Sequence, residues 1–406
     1  MKTFSWVKIG LFNFMIVSVL GILMRYKIAF SFPFLNQKYL QLSHSNFALL
    51  GWVSFILMAL MIDIVQKQLS VQEIKRFKMI LIAMLIACYG LMISFLISGY
   101  SLTTILLQFL NIAVTIVFCF QFYISLKKLP YFESKYWFYA SLLFYIISNL
   151  GTLYLSYMMA SKNIDQHYYL ASIYWNLHFQ YNGWFFFACM GLFIHFLNKK
   201  SIIIKPINKV FWIFFICCIP NFGLSVLWLK LPLIIYIIIV LASVLQFFGL
   251  LILIKSIWKD KIFSKMSGIK INKILLYYVS VALIIKFILQ LGSTIPSVSH
   301  FAFGFRPIVI AYLHLVLLAF TSVFIVMYIH LNFIKESSII FKRGIYITIV
   351  AIFLNELVLA FQGILSIGYV NVPYANEALF IASILIFIGL LFMFFSFKNS
   401  RLQQIS

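Results

Sequence analysis

Seven histidines, His44, His167, His178, His195, His300, His314 and His330, stand in a chain that is 64% apolar, so most of them have no water to satisfy a ring nitrogen. In such surroundings an imidazole serves as a neutral metal ligand, a proton shuttle or a hydrogen-bond bridge. His44 opens a long apolar run in Ser43-His44-Ser45-Asn46-Phe47-Ala48-Leu49-Leu50-Gly51-Trp52. His178 lies early in another, in Trp175-Asn176-Leu177-His178-Phe179-Gln180-Tyr181-Asn182-Gly183-Trp184. His314 follows Arg306-Pro307 by about two helical turns, roughly 10 Å at 1.5 Å per residue. These three are expected to share one layer near the outer face; the competing expectation is that each only bridges neighbouring helices. His195 and His330 fall at inner helix ends. His167 and His300 belong to outer entrances or loops, where they read as wet surface histidines, His300 remaining open to an exposed metal.

Two charges lie inside apolar runs: Lys286 and, in Phe353-Leu354-Asn355-Glu356-Leu357, Glu356. A lone intramembrane charge is expensive, so the pair is a candidate for a proton path or an ion pair locking two helices. Asn355 and Gln362 extend a polar track, and Asp63 marks an inner helix end. Trp52, Trp175 and Trp184 flank the histidine layer, where they can pack on a flat cofactor or form an interfacial aromatic belt. Cys88, Cys119, Cys189, Cys217 and Cys218 all fall within apolar runs, which gives neither a disulfide framework nor a zinc spacing, and leaves the redox compartment unread. No Gly-rich phosphate loop, Gly-x-Ser-x-Gly elbow or His-Glu-x-x-His helix occurs, so nucleotide hydrolysis and common hydrolase chemistries have no support.

The elements that must position these groups follow from composition. Only 10% of the 406 residues are charged, far below the roughly 25% of soluble proteins, so a water-facing surface is excluded. At about 20 apolar residues per span, the chain suffices for about twelve transmembrane helices in one all-α bundle, a single domain with no soluble part. The spans are expected near 7–30, 44–66, 77–98, 101–126, 136–160, 171–197, 209–229, 231–254, 274–295, 306–334, 344–366 and 374–397. The run 9–23, followed by Met24-Arg25-Tyr26-Lys27 without a cleavage site, is a retained span and not a signal peptide. The net charge of +23 would suggest nucleic acid in a soluble chain, but here 24 of the 31 cations fall on one side of the predicted topology. The basic balance therefore sets orientation, with both termini cytoplasmic in an inner-membrane protein, and the partner is the lipid bilayer, not nucleic acid.

With histidines on the second, sixth and tenth inward-running helices, the chain resembles haem-copper oxidase subunit I and its relatives, including the haem-copper proteins of the nitric-oxide-response NnrS family. The His44 to Trp52 segment resembles the second-helix haem-ligand segment of that superfamily. Trp175 to Trp184 more loosely resembles its copper-ligand segment, and His314 stands on the helix that supplies haem ligands. The resemblance covers the whole length as topology and three short segments as motif. It departs where Phe214-Phe215-Ile216-Cys217-Cys218 replaces paired histidines, where His314 stands alone, and where Tyr181 follows His178 by three residues instead of four. A complete dioxygen-reducing binuclear centre is therefore not expected, and any oxidoreductase activity is left open.

The resemblance implies haem between His44 and His314, with Trp52 packing on it, Arg306 pairing with its propionates and His178 over a distal or copper position. Copper, at the His178 position, is the second implied metal; the candidate metal ligands are thus His44, His178 and His314, with His300 as the exposed one noted above. Respiration or gas chemistry with dioxygen or nitric oxide, supplied by a quinol or cytochrome electron donor, is the function implied. The alternative is a secondary transporter with Lys286 and Glu356 at a midplane site. A third possibility is a non-catalytic assembly or sensory subunit.

Overall fold

In the computed structural model, residues 3–229, 231–259, 262, 270–299, 305–334 and 338–397 are described, and no strand occurs among them. The helices are α1 (Thr3–Phe30), α2 (Gln37–Gln68), α3 (Val71–Ser98), α4 (Leu102–Lys127), α5 (Lys135–Ser161), α6 (166–199), α7 (Ile207–Cys218 continuing into Pro220–Val226), α8 (Leu233–Lys259), α9 (Lys270–Gly292), α10 (Arg306–Phe333), α11 (Ile339–Ile367) and α12 (Ala375–Ser396). Ten of those described are long and apolar enough to cross a bilayer, which makes this a multi-pass membrane protein. The bent pair in α7 adds an eleventh if taken as one span. Polar residues along its whole length, among them Asn176, Gln180, Asn182 and His195, keep α6 outside that group.

Helix ends follow local chemistry. Asn36 caps α2 by accepting from the backbone N–H of Lys38 and Tyr39, so α2 begins seven residues before His44 and not at it. Ser70 and Glu73 form a reciprocal capping box at the start of α3. Pro220 has no N–H to continue α7; there the axis bends by 46° and the helix tightens into a 3₁₀ segment. The expected straight span over 209–229 is thus broken.

The centre of the bundle is built from α2, α6 and α10, each carrying a π-helical segment: Phe47–Ser54, Phe179–Phe185 and Leu315–Ser322. The wider winding frees backbone carbonyls that lipid cannot satisfy. Side chains take them up. Thr321 and Ser322 hydroxyls donate to the carbonyls of Val316 and Leu317, both at 2.8 Å, and Asn13 on α1 donates to that of Gly51 at 2.6 Å.

The three segments touch in rotation. Trp52 Nε1 donates to Ser322 Oγ at 2.9 Å, Trp184 Nε1 donates to Ser54 Oγ at 3.1 Å, and Phe320 meets Phe186 with ring centroids 6.4 Å apart. In each contact an aromatic reaches the residue two places beyond the aromatic of the next segment, so the core has an approximate threefold arrangement. Trp52 stacks on Phe14 of α1 and Trp184 on Tyr145 of α5, both at 4.4 Å, which extends the repetition to the preceding helices.

Candidate functional site

The N-terminal part of α10, Arg306–His314, contains no buried residue. It is a partition: cavities of about 810 Å³ lie on its two sides, each within the range of small-molecule sites.

The first cavity brings His44 and His314 together, lined also by Arg25, Arg306, Trp52 and Gly21. His44 is seven residues into α2 and His314 eight into α10, so both rings sit roughly 10 to 12 Å below their helix starts. His44 Nδ1 lies 3.2 Å from the Val17 carbonyl and His314 Nδ1 2.9 Å from that of Ile310. A carbonyl only accepts, so each Nδ1 carries the proton and donates, which leaves Nε2 with its lone pair. This arrangement orients an imidazole for a metal, the backbone carbonyl acting as outer partner.

Among the described residues, three cations line the same cavity, Arg25, Lys38 and Arg306, and no carboxylate does. Arg306 donates to Gln41 at the rim. Arg25 lines the cavity from α1, and the carboxylate that attracts it at longer range is Glu356 of α11. Gly21, one turn before it, keeps the wall thin: a Cβ there would lie 3.4 Å from His44 Cε1. Trp52 closes the floor, held between Phe14 and Ser322. Two lone-pair nitrogens below, cations above and a slot between them suit a planar metal macrocycle bearing carboxylates.

His178 is not part of this set. It lines the second cavity, on the other side of α10. Its Nε2 donates to the Cys218 carbonyl at 2.9 Å and its Nδ1 accepts from Asn182 Nδ2 at 3.1 Å, so both nitrogens are engaged and no lone pair remains for copper. It bridges α6 to α7, where the break at Pro220 begins. No group of three or more His, Cys, Asp or Glu side chains among the described residues is placed to hold a metal ion. His300 lies outside the described residues.

Lys286 and Glu356 are not paired with each other. Lys286 Nζ donates to Gln290 Oε1 at 2.7 Å and lies 3.7 Å from the Phe287 ring centroid. Gln290 in turn donates to Gln246, which accepts from Asn221, giving a buried amide chain across α7, α8 and α9. Glu356 accepts from Asn355 at 3.2 Å. These neighbours on α11 face different cavities, Asn355 the first and Glu356 the second.

The other described histidines line neither cavity. His330 Nδ1 donates to Asn272 Oδ1 at 2.6 Å, His195 meets the Phe132 edge, and His167 stacks on Trp228 beside Asp165.

No protein-family model matches the chain, and no curated protein matches it in sequence.

Proposed function

We propose that the chain is a haem-binding protein of redox or gas metabolism in the inner membrane, a divergent, reduced-ligand relative of haem-copper oxidase subunit I. The observation that carries this reading is the pair His44 and His314, which line one cavity, each with Nδ1 bound to a backbone carbonyl and Nε2 left with its lone pair. Arg25 and Arg306 supply the cations that propionates require, and a guanidinium can take a carboxylate bidentately. The haem would bring reversible one-electron chemistry. The protein's part is to fix the imidazoles, neutralise the propionates and exclude water from the iron, and burial with axial-ligand identity sets the potential.

The scaffold in this reading has twelve spans, α6 and the bent α7 included, with the Lys- and Arg-rich loops and both termini cytoplasmic. The electron donor is a quinol or a cytochrome. The deciding experiment is a dithionite-reduced minus oxidised spectrum of protein expressed with haem available. A Soret band that disappears in both His44→Ala and His314→Ala is the expected result. Wild-type protein without one rejects the proposal.

One observation favours a second reading, a secondary transporter: the broken α7 beside the buried Lys286–Gln290–Gln246–Asn221 chain resembles the discontinuous helices at transporter binding sites. Substrate flux through reconstituted, haem-free protein would establish it.

A further inference from the structure

The second cavity differs from the first in charge and in what it opens onto. Its back wall is the N-terminal part of α10, and its sides are α9 and α11. α9 packs on α8 and α10, while α11 packs on α10 and α12, so a lateral gap is left between α9 and α11. The residues at that gap are apolar and exposed on the outside of the bundle: Val281 and Leu289 on one side, Leu357 and Ile364 on the other. In a bilayer that surface faces lipid, so on this side the cavity borders the hydrocarbon.

No Lys or Arg among the described residues lines it. The one charged-type group among them is the Glu356 carboxyl, accompanied by His178, Gln290 and the ring of Tyr312. The nearest cation, Lys286, stands behind the lining with its ammonium tied to Gln290, so a headgroup phosphate would meet no lining cation, whereas a neutral ring with hydrogen-bonding oxygens would meet an acceptor, amides and aromatic faces. The apolar remainder of the space suits an isoprenoid tail leaving through the α9–α11 gap. We infer that this cavity binds an isoprenoid quinone or quinol from the lipid phase, its ring beside Glu356 and Tyr312. This site deepens the proposed function by assigning the electron donor to the face of α10 opposite His314, but binding itself requires no haem.

The test uses full-length protein in phosphatidylcholine nanodiscs, with decylubiquinone as probe and quinone retained after gel filtration as readout. Saturable retention above that of empty nanodiscs is expected. It should weaken about tenfold in Ala360→Trp, which places an indole in the gap at an exposed position of α11, and several-fold in Glu356→Gln. Ala311→Phe, which fills the cavity from α10, serves if the tryptophan variant is not recovered folded. Retention no greater than in empty nanodiscs overturns the inference, as does wild-type retention in the gap-filling and Glu356 variants together. Equal displacement of the probe by phosphatidylglycerol also overturns it, since the occupant would then be a phospholipid. The Soret band is recorded on the same samples: quinone retention without a band fails the haem proposal alone, and a band without retention fails this one alone.

Discussion

The indole N–H of Trp52 donates to Ser322 Oγ across the α2–α10 interface, and each of these residues lies eight positions beyond the histidine of its own helix, His44 or His314. The tie therefore sits about 12 Å deeper than the two imidazoles and fixes the register in which they face one cavity. Trp52→Phe keeps the stacking on Phe14 but removes the donor. It should lower thermal stability by about 1 kcal/mol, with a coupling to Ser322→Ala of about 0.6 kcal/mol in a double-mutant cycle. If haem binds as proposed, the variant's Soret band should also broaden or shift, because the spacing of the axial nitrogens depends on the tie. Additive single-variant stabilities would show that the contact does not contribute.

Arg25 and Arg306 should not be equivalent. Arg306 stands at the exposed rim and already has Gln41, whereas Arg25 lines the cavity from α1 with only the longer-range attraction of Glu356. Arg25→Ala is expected to reduce haem retained through purification several-fold, and Arg306→Ala by less than half of that effect. Equal losses, measured as Soret absorbance per protein, would mean that both act only as general positive charge.

His178→Ala removes a bridge, not a ligand. The Cys218 carbonyl loses its donor next to the α7 break, so stability should fall by about 1 to 3 kcal/mol while the haem spectrum is unchanged. His178→Asn, which keeps one donor, should recover part of the stability. A lost Soret band in a folded His178→Ala protein would return that residue to the metal site.

Much of this arrangement is legible from residue type and depth alone. The apolar runs locate the helices because lipid permits no other spanning backbone in a chain of this composition, and His44, His178 and His314 stand out because an imidazole is rare there. Periodicity does not reveal which side of α10 a ring faces: His178 and His314 belong to neighbouring helices but to different cavities. The capping Asn36 lies in a polar stretch that a hydropathy window passes over, and so α2 is read as starting at His44. Arg25 reads as one more outer cation, although a helix that continues to Phe30 carries it into the bundle. The three π segments leave only a faint trace, Gly51-Trp52, Gly183-Trp184 and Ala319-Phe320, which is a threefold repeat where a twofold one would ordinarily be sought. The distance between Lys286 and Glu356 depends on helix order around the bundle, which one sequence does not contain.

Gly21 offers a test of the slot that leaves every candidate ligand in place. A Cβ at this position makes ordinary contact with His44 Cε1 at 3.4 Å, so Gly21→Ala should fold normally and keep most of its haem. Gly21→Leu has no comparable room: its side chain must occupy the cavity or push the His44 ring from the Val17 carbonyl at 3.2 Å. Filling an existing cavity with an apolar side chain costs little stability if no neighbour is displaced. The leucine variant is therefore expected to match wild type within about 1 kcal/mol in thermal unfolding of the haem-free protein, yet to bind haem at least tenfold more weakly in titration. Wild-type haem affinity in a folded Gly21→Leu protein would place the cofactor elsewhere than between His44 and His314.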